Sequence, residues 1–206
     1  MYHLLRKSAK YTQNNPKVLF ACFIDLRKAF DKVRHNGLLY KLRKNGISDL
    51  FYNILKNVYQ KTESCVKTDR SNVTDSFSSN ICVRQGVTLR PNLFKQFIND
   101  LPEIFDQTCN PVTPNSLKLN CLLYTDDIVL LSETAEGLQN ILDKVSQYWK
   151  KWGMEINTDK TKSLVFNSTG RLFPVTFMID NQFIEKVKHY RYLGVMINAS
   201  GSFSDD

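Results

Sequence analysis

The chain has 206 residues, enough for one large domain, and its 42% hydrophobic and 23% charged content excludes a disordered polypeptide. The formal charge of +8 favours a polyanionic partner, either nucleic acid or an anionic surface. No apolar run approaches the roughly 20 residues of a membrane span, the early Arg6, Lys7 and Lys10 argue against a signal peptide, and no targeting signal is visible. The five cysteines form no C-x-x-C pair, which excludes a zinc ribbon and fits a reduced, intracellular protein.

Residues 1–15 read as an amphipathic helix stopped by Pro16. Residues 18–24 are a continuous apolar run that suits a buried central strand, and Asp25 ends it. Asn36 reads as the cap of a helix carrying Leu38, Leu39 and Leu42 and ending at Gly46. Ser48 starts another, with Phe51, Ile54, Leu55 and Val58 at helical spacing. The basic cluster from Lys41 to Lys44 reads as a solvated face. Residues 64–83 suggest a hairpin with a polar break near 69–72.

Pro91 opens a helix with Leu93, Phe94, Phe97, Ile98 and Leu101 on its apolar side. Residues 106–116 read as a loop. Residues 117–124 and 128–132 read as two strands joined at Thr125-Asp126-Asp127. Thr134 caps a long helix whose stripe runs Leu138, Ile141, Leu142, Val145, Trp149, Trp152, and Gly153 ends it. Strands are expected near 162–167, 174–179, 183–187 and 191–197, with a frayed tail from Ser200. No repeat or linker divides the chain, so one domain is expected. The layout is α+β, with helices on one side of a mostly antiparallel sheet.

Ionised carboxylates at the ends of apolar strands are costly unless a cation meets them. Asp25, Asp126 and Asp127 therefore ask for a metal, and three such groups suggest a pair of Mg2+ or Mn2+ ions and phosphoryl or nucleotidyl transfer. An ordinary exposed turn is the plain alternative for Asp126-Asp127.

The segment Asp25-Leu26-Arg27-Lys28-Ala29-Phe30-Asp31 resembles the D-x-x-x-A-F-D motif of non-LTR retrotransposon reverse transcriptases. Val83-Arg84-Gln85-Gly86, Pro91, Leu93, Phe94 and Phe97-Ile98-Asn99-Asp100-Leu101-Pro102 resemble that family's R-Q-G … P-x-L-F … F-I-N-D-L-P block. Tyr124-Thr125-Asp126-Asp127 is similar to its Y-A-D-D box, Trp152-Gly153-Met154 with Asn157 and Lys160-Thr161-Lys162 to its W-G … N … K-T-K segment, and Tyr192-Leu193-Gly194-Val195 to its Y-L-G-V turn. The blocks fall in family order and cover about residues 18–197.

The resemblance implies a right-hand polymerase palm, a partial reverse transcriptase domain over 1–206 with fingers and thumb largely missing. It implies RNA-directed DNA synthesis with an RNA template, a DNA primer, deoxynucleoside triphosphates, two Mg2+ or Mn2+ ions and no membrane. A nuclear location follows for a eukaryotic host. It makes Asp25, Asp126 and Asp127 the metal ligands and Phe30 the ring under the nucleotide sugar. Arg84, Gln85 and Gly86 become the lining of the nucleotide pocket. Lys160 and Lys162 become the cations beside pyrophosphate, and Tyr192, Leu193 and Gly194 the turn holding the primer end. Core packing for Phe30, surface charge for the lysines and an unliganded turn for Tyr192–Gly194 are the plain alternatives. Thr125, Val87 and Arg90 depart from the family's usual Ala, Cys and Ser. Arg90 and the short ends also allow a catalytically inactive remnant that keeps the fold and weak RNA binding. A group II intron maturase and a nucleotide cyclase are more distant readings.

Overall fold

The computed structural model describes residues 2–13, 18–60, 63–67, 74–83, 88–114 and 117–205. In chain order the elements are α1 (Tyr2–Gln13), β1 (Leu19–Ile24), α2 (His35–Lys44), α3 (Asp49–Gln60), β2 (Glu63–Ser64), β3 (Phe77–Ser78) and α4 (Arg90–Ile98). 3-10 turns follow at Leu101–Ile104 and Gln107–Cys109, then β4 (Cys121–Tyr124), β5 (Asp127–Ser132), α5 (Ala135–Trp152) and β6 (Lys162–Phe166). Short strands complete the chain: β7 (Met178–Ile179), β8 (Gln182–Phe183), β9 (Glu185–Lys186), β10 (His189–Tyr192), β11 (Val195–Asn198) and β12 (Phe203–Asp205). These pack into two compact units, one of residues 1–27, 100–151 and 155–206, the other of residues 28–99 and 152–154.

The first unit is built on a five-stranded sheet of order β4-β5-β1-β6-β9, antiparallel except for the β6–β9 pair. All six residues of β1 are buried, which explains an unbroken apolar run rather than an alternating one. One sheet face presents Leu19, Ala21, Phe23, Val129, Leu131, Leu164 and Phe166 to Leu5 and Ala9 of α1. Tyr192 and Ile197 from the β10-β11-β12 sheet, with Ala199 just after β11, close the same core. On the opposite face Phe20 meets Phe173 and Phe177 edge-on, at 5.7 and 6.2 Å. Each fully buried Leu or Phe of this kind contributes about 1.5–3 kcal/mol.

The Thr134 hydroxyl accepts the Gly137 N–H at 2.9 Å, so Thr134 caps α5 as expected, and the stripe from Leu138 to Trp149 is buried. Gly153, at φ 71, stops the helix. Four expectations for strands change. β4 starts at Cys121 rather than 117, the 174–179 strand shrinks to Met178–Ile179, the 183–187 strand splits between β8 and β9, and the 191–197 strand breaks at Leu193-Gly194 into the β10–β11 hairpin. The stretch expected as a loop holds a 3-10 turn at Gln107–Cys109, whose Asp106 cap accepts from Thr108.

The second unit holds α2, α3, α4 and the β2–β3 hairpin. The polar break of that hairpin lies outside the described residues. Asn36 is the second residue of α2, not its cap; Arg34 takes the cap position and its side chain makes no capping bond. On α3 the buried positions are Leu55 and Tyr59, whereas Ile54 and Val58 stay 51% and 41% exposed. Lys41 is not part of a solvated face. It is buried, donates to the Phe97 carbonyl at 2.6 Å, and lies 4.0 Å from the centre of the Trp152 ring. An aromatic wall and a carbonyl thus replace the water that a buried ammonium loses.

Candidate active site

Three aspartates meet at one end of the five-stranded sheet. Ile24 stands opposite Ile128 in the β1–β5 ladder. One residue beyond that rung, on each strand, come Asp25 and Asp127. Side chains two residues apart share a face, so both carboxylates belong to the face of Phe23 and Val129. Asp127 is the first residue of β5, paired with Tyr124, and the hairpin turn is therefore Thr125-Asp126 alone. That corrects the expectation of a three-residue tip. Thr125 sits at φ 52, a sparsely populated region for a β-branched residue, and its hydroxyl lies 2.7 Å from the Tyr124 carbonyl and 3.0 Å from Asp126 Oδ1.

The backbone of Asp25 is held from the far side of the chain. Its N–H donates to the Thr161 hydroxyl at 3.2 Å, and its carbonyl accepts from the Asn157 N–H at 2.8 Å. Thr161 is fully buried, and its own N–H closes a turn onto the Asn157 carbonyl at 2.9 Å. Leu26 bridges Ile156, and the Arg27 guanidinium pairs with Glu155 at 3.3 Å and Asp159 at 3.5 Å. Residues 25–27 are thus zipped to 155–161, which fixes where the first carboxylate stands.

Below the carboxylates the β10–β11 hairpin supplies two tyrosines. Tyr190 stacks on Phe23 at 4.3 Å, and Tyr192 packs on it at 5.4 Å. The Leu193-Gly194 turn has φ of 50 and 81, the positive pair a tight hairpin requires. Burial raises both phenols, and the charge of Asp127 raises them further, so both stay protonated at neutral pH. Partial burial first, then the charges of Asp126 and Asp25, hold the Asp127 carboxyl above the usual carboxylate range.

Among the described residues no group of three His, Cys, Asp or Glu is closed tightly enough to grip an ion as it stands. The donor set nevertheless fits a hard divalent cation: three carboxylate side chains, oxygen-only, whose mutual repulsion is visible at Asp127.

The other expected site residues divide. Lys162 faces Phe23 across the β1–β6 ladder, but its ammonium is engaged by Glu185 at 2.6 Å and by the Asp159 carbonyl. Lys160 ends an exposed turn. Phe30 lies in the second unit, half-buried, with its ring 4.8 Å from Phe94 and the Arg90 guanidinium 4.4 Å above it. Arg84, Gln85 and Gly86 lie outside the described residues. Thr161 and Tyr190 are the positions that sequence reasoning missed. Tyr190 shares a face with Tyr192 two residues on, and that period was the available signal; a hydroxyl reaching across 136 residues leaves none.

A family profile described as "Reverse transcriptase (RNA-dependent DNA polymerase)" matches residues 2–197. The RNA-directed DNA polymerase from mobile element jockey of Drosophila funebris is 31% identical over 89% of this chain. The Pol polyprotein from type-1 retrotransposable element R2 of Nasonia vitripennis is 28% identical over 96% of it. The chain spans about a fifth of the length of each of these relatives, 20% in both cases. Apo telomerase from Candida tropicalis, truncated from its C-terminal domain, superposes with a TM-score of 0.70 at 15% identity, covering 99% of this chain and 38% of that one. The telomerase of that species in complex with a TWJ fragment of telomeric RNA gives 0.67 at 14% identity, over 100% and 32%. These telomerase matches establish the shared fold, and the profile match over nearly the whole sequence places the chain in the reverse transcriptase (RNA-dependent DNA polymerase) family.

Proposed function

We propose that this chain is the catalytic core of an RNA-directed DNA polymerase of a non-LTR retrotransposon, transferring a nucleotidyl group from a deoxynucleoside triphosphate to a primer 3′-hydroxyl on an RNA template. Family membership supports the reaction class. The observation that carries the reading at residue level is the convergence of Asp25 and Asp127 at matched ends of β1 and β5, with Asp126 in the adjoining turn.

In this reading Asp25, Asp126 and Asp127 hold two divalent cations, Mg2+ or Mn2+. When bound, that cation pair supplies activation of the attacking hydroxyl and charge stabilisation of the leaving pyrophosphate. The chain's own residues do the positioning. Thr161 and Asn157 pin the Asp25 backbone. Tyr190 and Tyr192 form an apolar floor that keeps water from one side of the carboxylates. The exposed Leu193-Gly194 turn extends from that floor and is where the primer end would rest. Lys160 is the cation proposed to meet pyrophosphate, because Lys162 is engaged by Glu185. Arg84, Gln85 and Gly86 are the residues proposed to contact the nucleotide, and Phe30 is the ring proposed to exclude a 2′-hydroxyl. Both compact units belong to this one partial polymerase domain, and a nuclear location follows for a eukaryotic host.

Primer extension on an RNA template with Mg2+ or Mn2+ tests the reading. Incorporation is expected from the unchanged chain and not from Asp126→Asn. Equal extension by the two would refute the assignment. Salt-sensitive RNA binding without incorporation, persisting in Arg90→Ser, would identify an inactive remnant instead.

A further inference from the structure

We infer that His35 is a positioning residue for the incoming nucleotide: it holds the strap of residues 80–83 that leads into Arg84, Gln85 and Gly86, and this rests on the proposed contact of those three with the nucleotide. His35 is the first residue of α2 and is only 5% exposed. Its ring lies 4.5 Å from that of Tyr59 on α3, and its Nε2 donates to the Cys82 carbonyl at 2.9 Å. With the proton on Nε2, the bare nitrogen is Nδ1, which is buried and meets no donor among the described residues. Packing against Tyr59 would be served by any flat apolar ring. The polar work of the imidazole, among the described residues, is therefore done at the Cys82 carbonyl.

The rest of the strap is held through the backbone, entirely within the helical unit. The Val83 N–H donates to the Phe30 carbonyl and the Cys82 N–H to the Val33 carbonyl, both at 2.9 Å. Ile81 bridges Arg34, and the Asn80 carbonyl accepts the His35 N–H at 3.0 Å. Residues 80–83 thus run against residues 30–35, the stretch that carries Phe30 and Asp31. One point on the strap is strained. Cys82 sits at φ 84, a region that residues with a side chain rarely occupy. Such strain persists only where the surroundings over-determine it. The carbonyl of that same residue is the one His35 meets, so the imidazole closes the strap where the backbone is most inclined to relax. Val83 is 1% exposed and Arg84 follows it directly. A strap released at Cys82 starts the nucleotide-contacting residues from a different place. Without its donor the carbonyl favours other arrangements, and nucleotide affinity falls with the fraction of chains that keep the competent one.

The test is equilibrium binding of dATP carrying a fluorescent N-methylanthraniloyl group to the full chain, on an RNA template whose DNA primer ends in a dideoxynucleotide, so that nothing is incorporated. His35→Phe keeps a ring against Tyr59 and removes the donor; its Kd should rise about tenfold. His35→Gln returns an N–H to the depth of Nε2 and should bring Kd back to within about threefold of the unchanged chain. Leu55→Ala, in the buried stripe of α3, should lower Tm at least as far as His35→Phe while moving Kd by no more than about twofold. Amide hydrogen exchange at Cys82 and Val83 should quicken in His35→Phe and not in His35→Gln. An unchanged Kd in His35→Phe, equal weakening in His35→Phe and His35→Gln, or an equal rise in Leu55→Ala would overturn the inference, as would unaltered exchange at Cys82 and Val83. Labelled dATP failing to bind the unchanged chain would overturn it together with the nucleotide contact on which it rests. Binding with the expected His35 dependence, but no extension from an ordinary primer, would remove the polymerase reading alone.

Discussion

Replacing Arg90 with Ser should leave stability almost unchanged while altering the setting of Phe30. Arg90 makes two visible interactions: its guanidinium covers the Phe30 ring at 4.4 Å and pairs with Asp31 at 3.2 Å. The ring contact is worth about 1 kcal/mol at a partly buried site. The ion pair, with side chains 21% and 45% exposed, contributes about 0.5–1 kcal/mol. Against this, the Arg90 Nε is buried with no hydrogen-bond partner among the described residues, which costs about 1–3 kcal/mol. Arg90 is also a cation in the first turn of α4, where the dipole opposes it by about 0.3–1 kcal/mol. The terms offset to within about 1 kcal/mol, a shift of about 2–4 °C in Tm at this chain length. Loss of the cover frees the Phe30 ring by about 1 kcal/mol, which under the proposed role of Phe30 at the nucleotide sugar should lower discrimination between deoxy- and ribonucleotides about fivefold. Calorimetry and paired primer-extension assays read the two quantities. A fall in Tm above about 8 °C would show that the accounting of Arg90 is wrong. Unchanged discrimination beside a small Tm shift would remove Phe30 from the sugar pocket.

Three further outcomes are expected. Gly137→Ala reverses the usual helix preference for Ala, because the added carbon would stand 2.3 Å from the Ser132 Oγ and 2.8 Å from the Cys109 carbonyl; a loss of about 1–3 kcal/mol on thermal melting is expected, and a gain would contradict the packing. Thr161→Val keeps the shape but leaves the Asp25 N–H without its acceptor, so the variant should lose about 1–3 kcal/mol of stability and should lower kcat more than it raises KM; wild-type kcat would show that Thr161 does not position Asp25. The Lys144 ammonium, then the Thr108 hydroxyl, hold Asp106 down to about 2. A carboxylate lowered on folding stabilises above its unfolded value of about 3.9 and loses that contribution as pH falls towards about 2. The melting temperature should therefore drop more steeply across that window in the unchanged chain than in Lys144→Met, and superimposable curves would rule out the linkage.

Much of the site was legible because apolar strand patterns stop at charges. The run before Asp25 and the paired runs around Asp126-Asp127 place carboxylates at strand ends from composition alone, and the family motifs supply their order. Spacing alone says less about Asp127 itself, since a two-residue turn and a three-residue turn share the same residues; the Tyr124–Asp127 pairing decides it. Lys41 was misread because a buried ammonium looks like any surface lysine until Trp152 and the Phe97 carbonyl are seen around it. On α3, Leu55 and Tyr59 turned inward although Ile54 and Val58 fit the same helical count, because periodicity gives a stripe and not which side of it faces the core. The short strands β7 to β9 carry only two residues each, too few for alternation to register.

The central claim is that Asp25, Asp126 and Asp127 together chelate a pair of divalent cations. Crystals of the chain soaked in Mn2+ and measured at the manganese absorption edge test it without requiring turnover. The account predicts two anomalous peaks about 3.5–4 Å apart, bounded by oxygens of all three aspartates. Anomalous density confined to another acidic group, such as Glu185 with Asp159, or no peak at the β1–β5 end at saturating Mn2+, would contradict it.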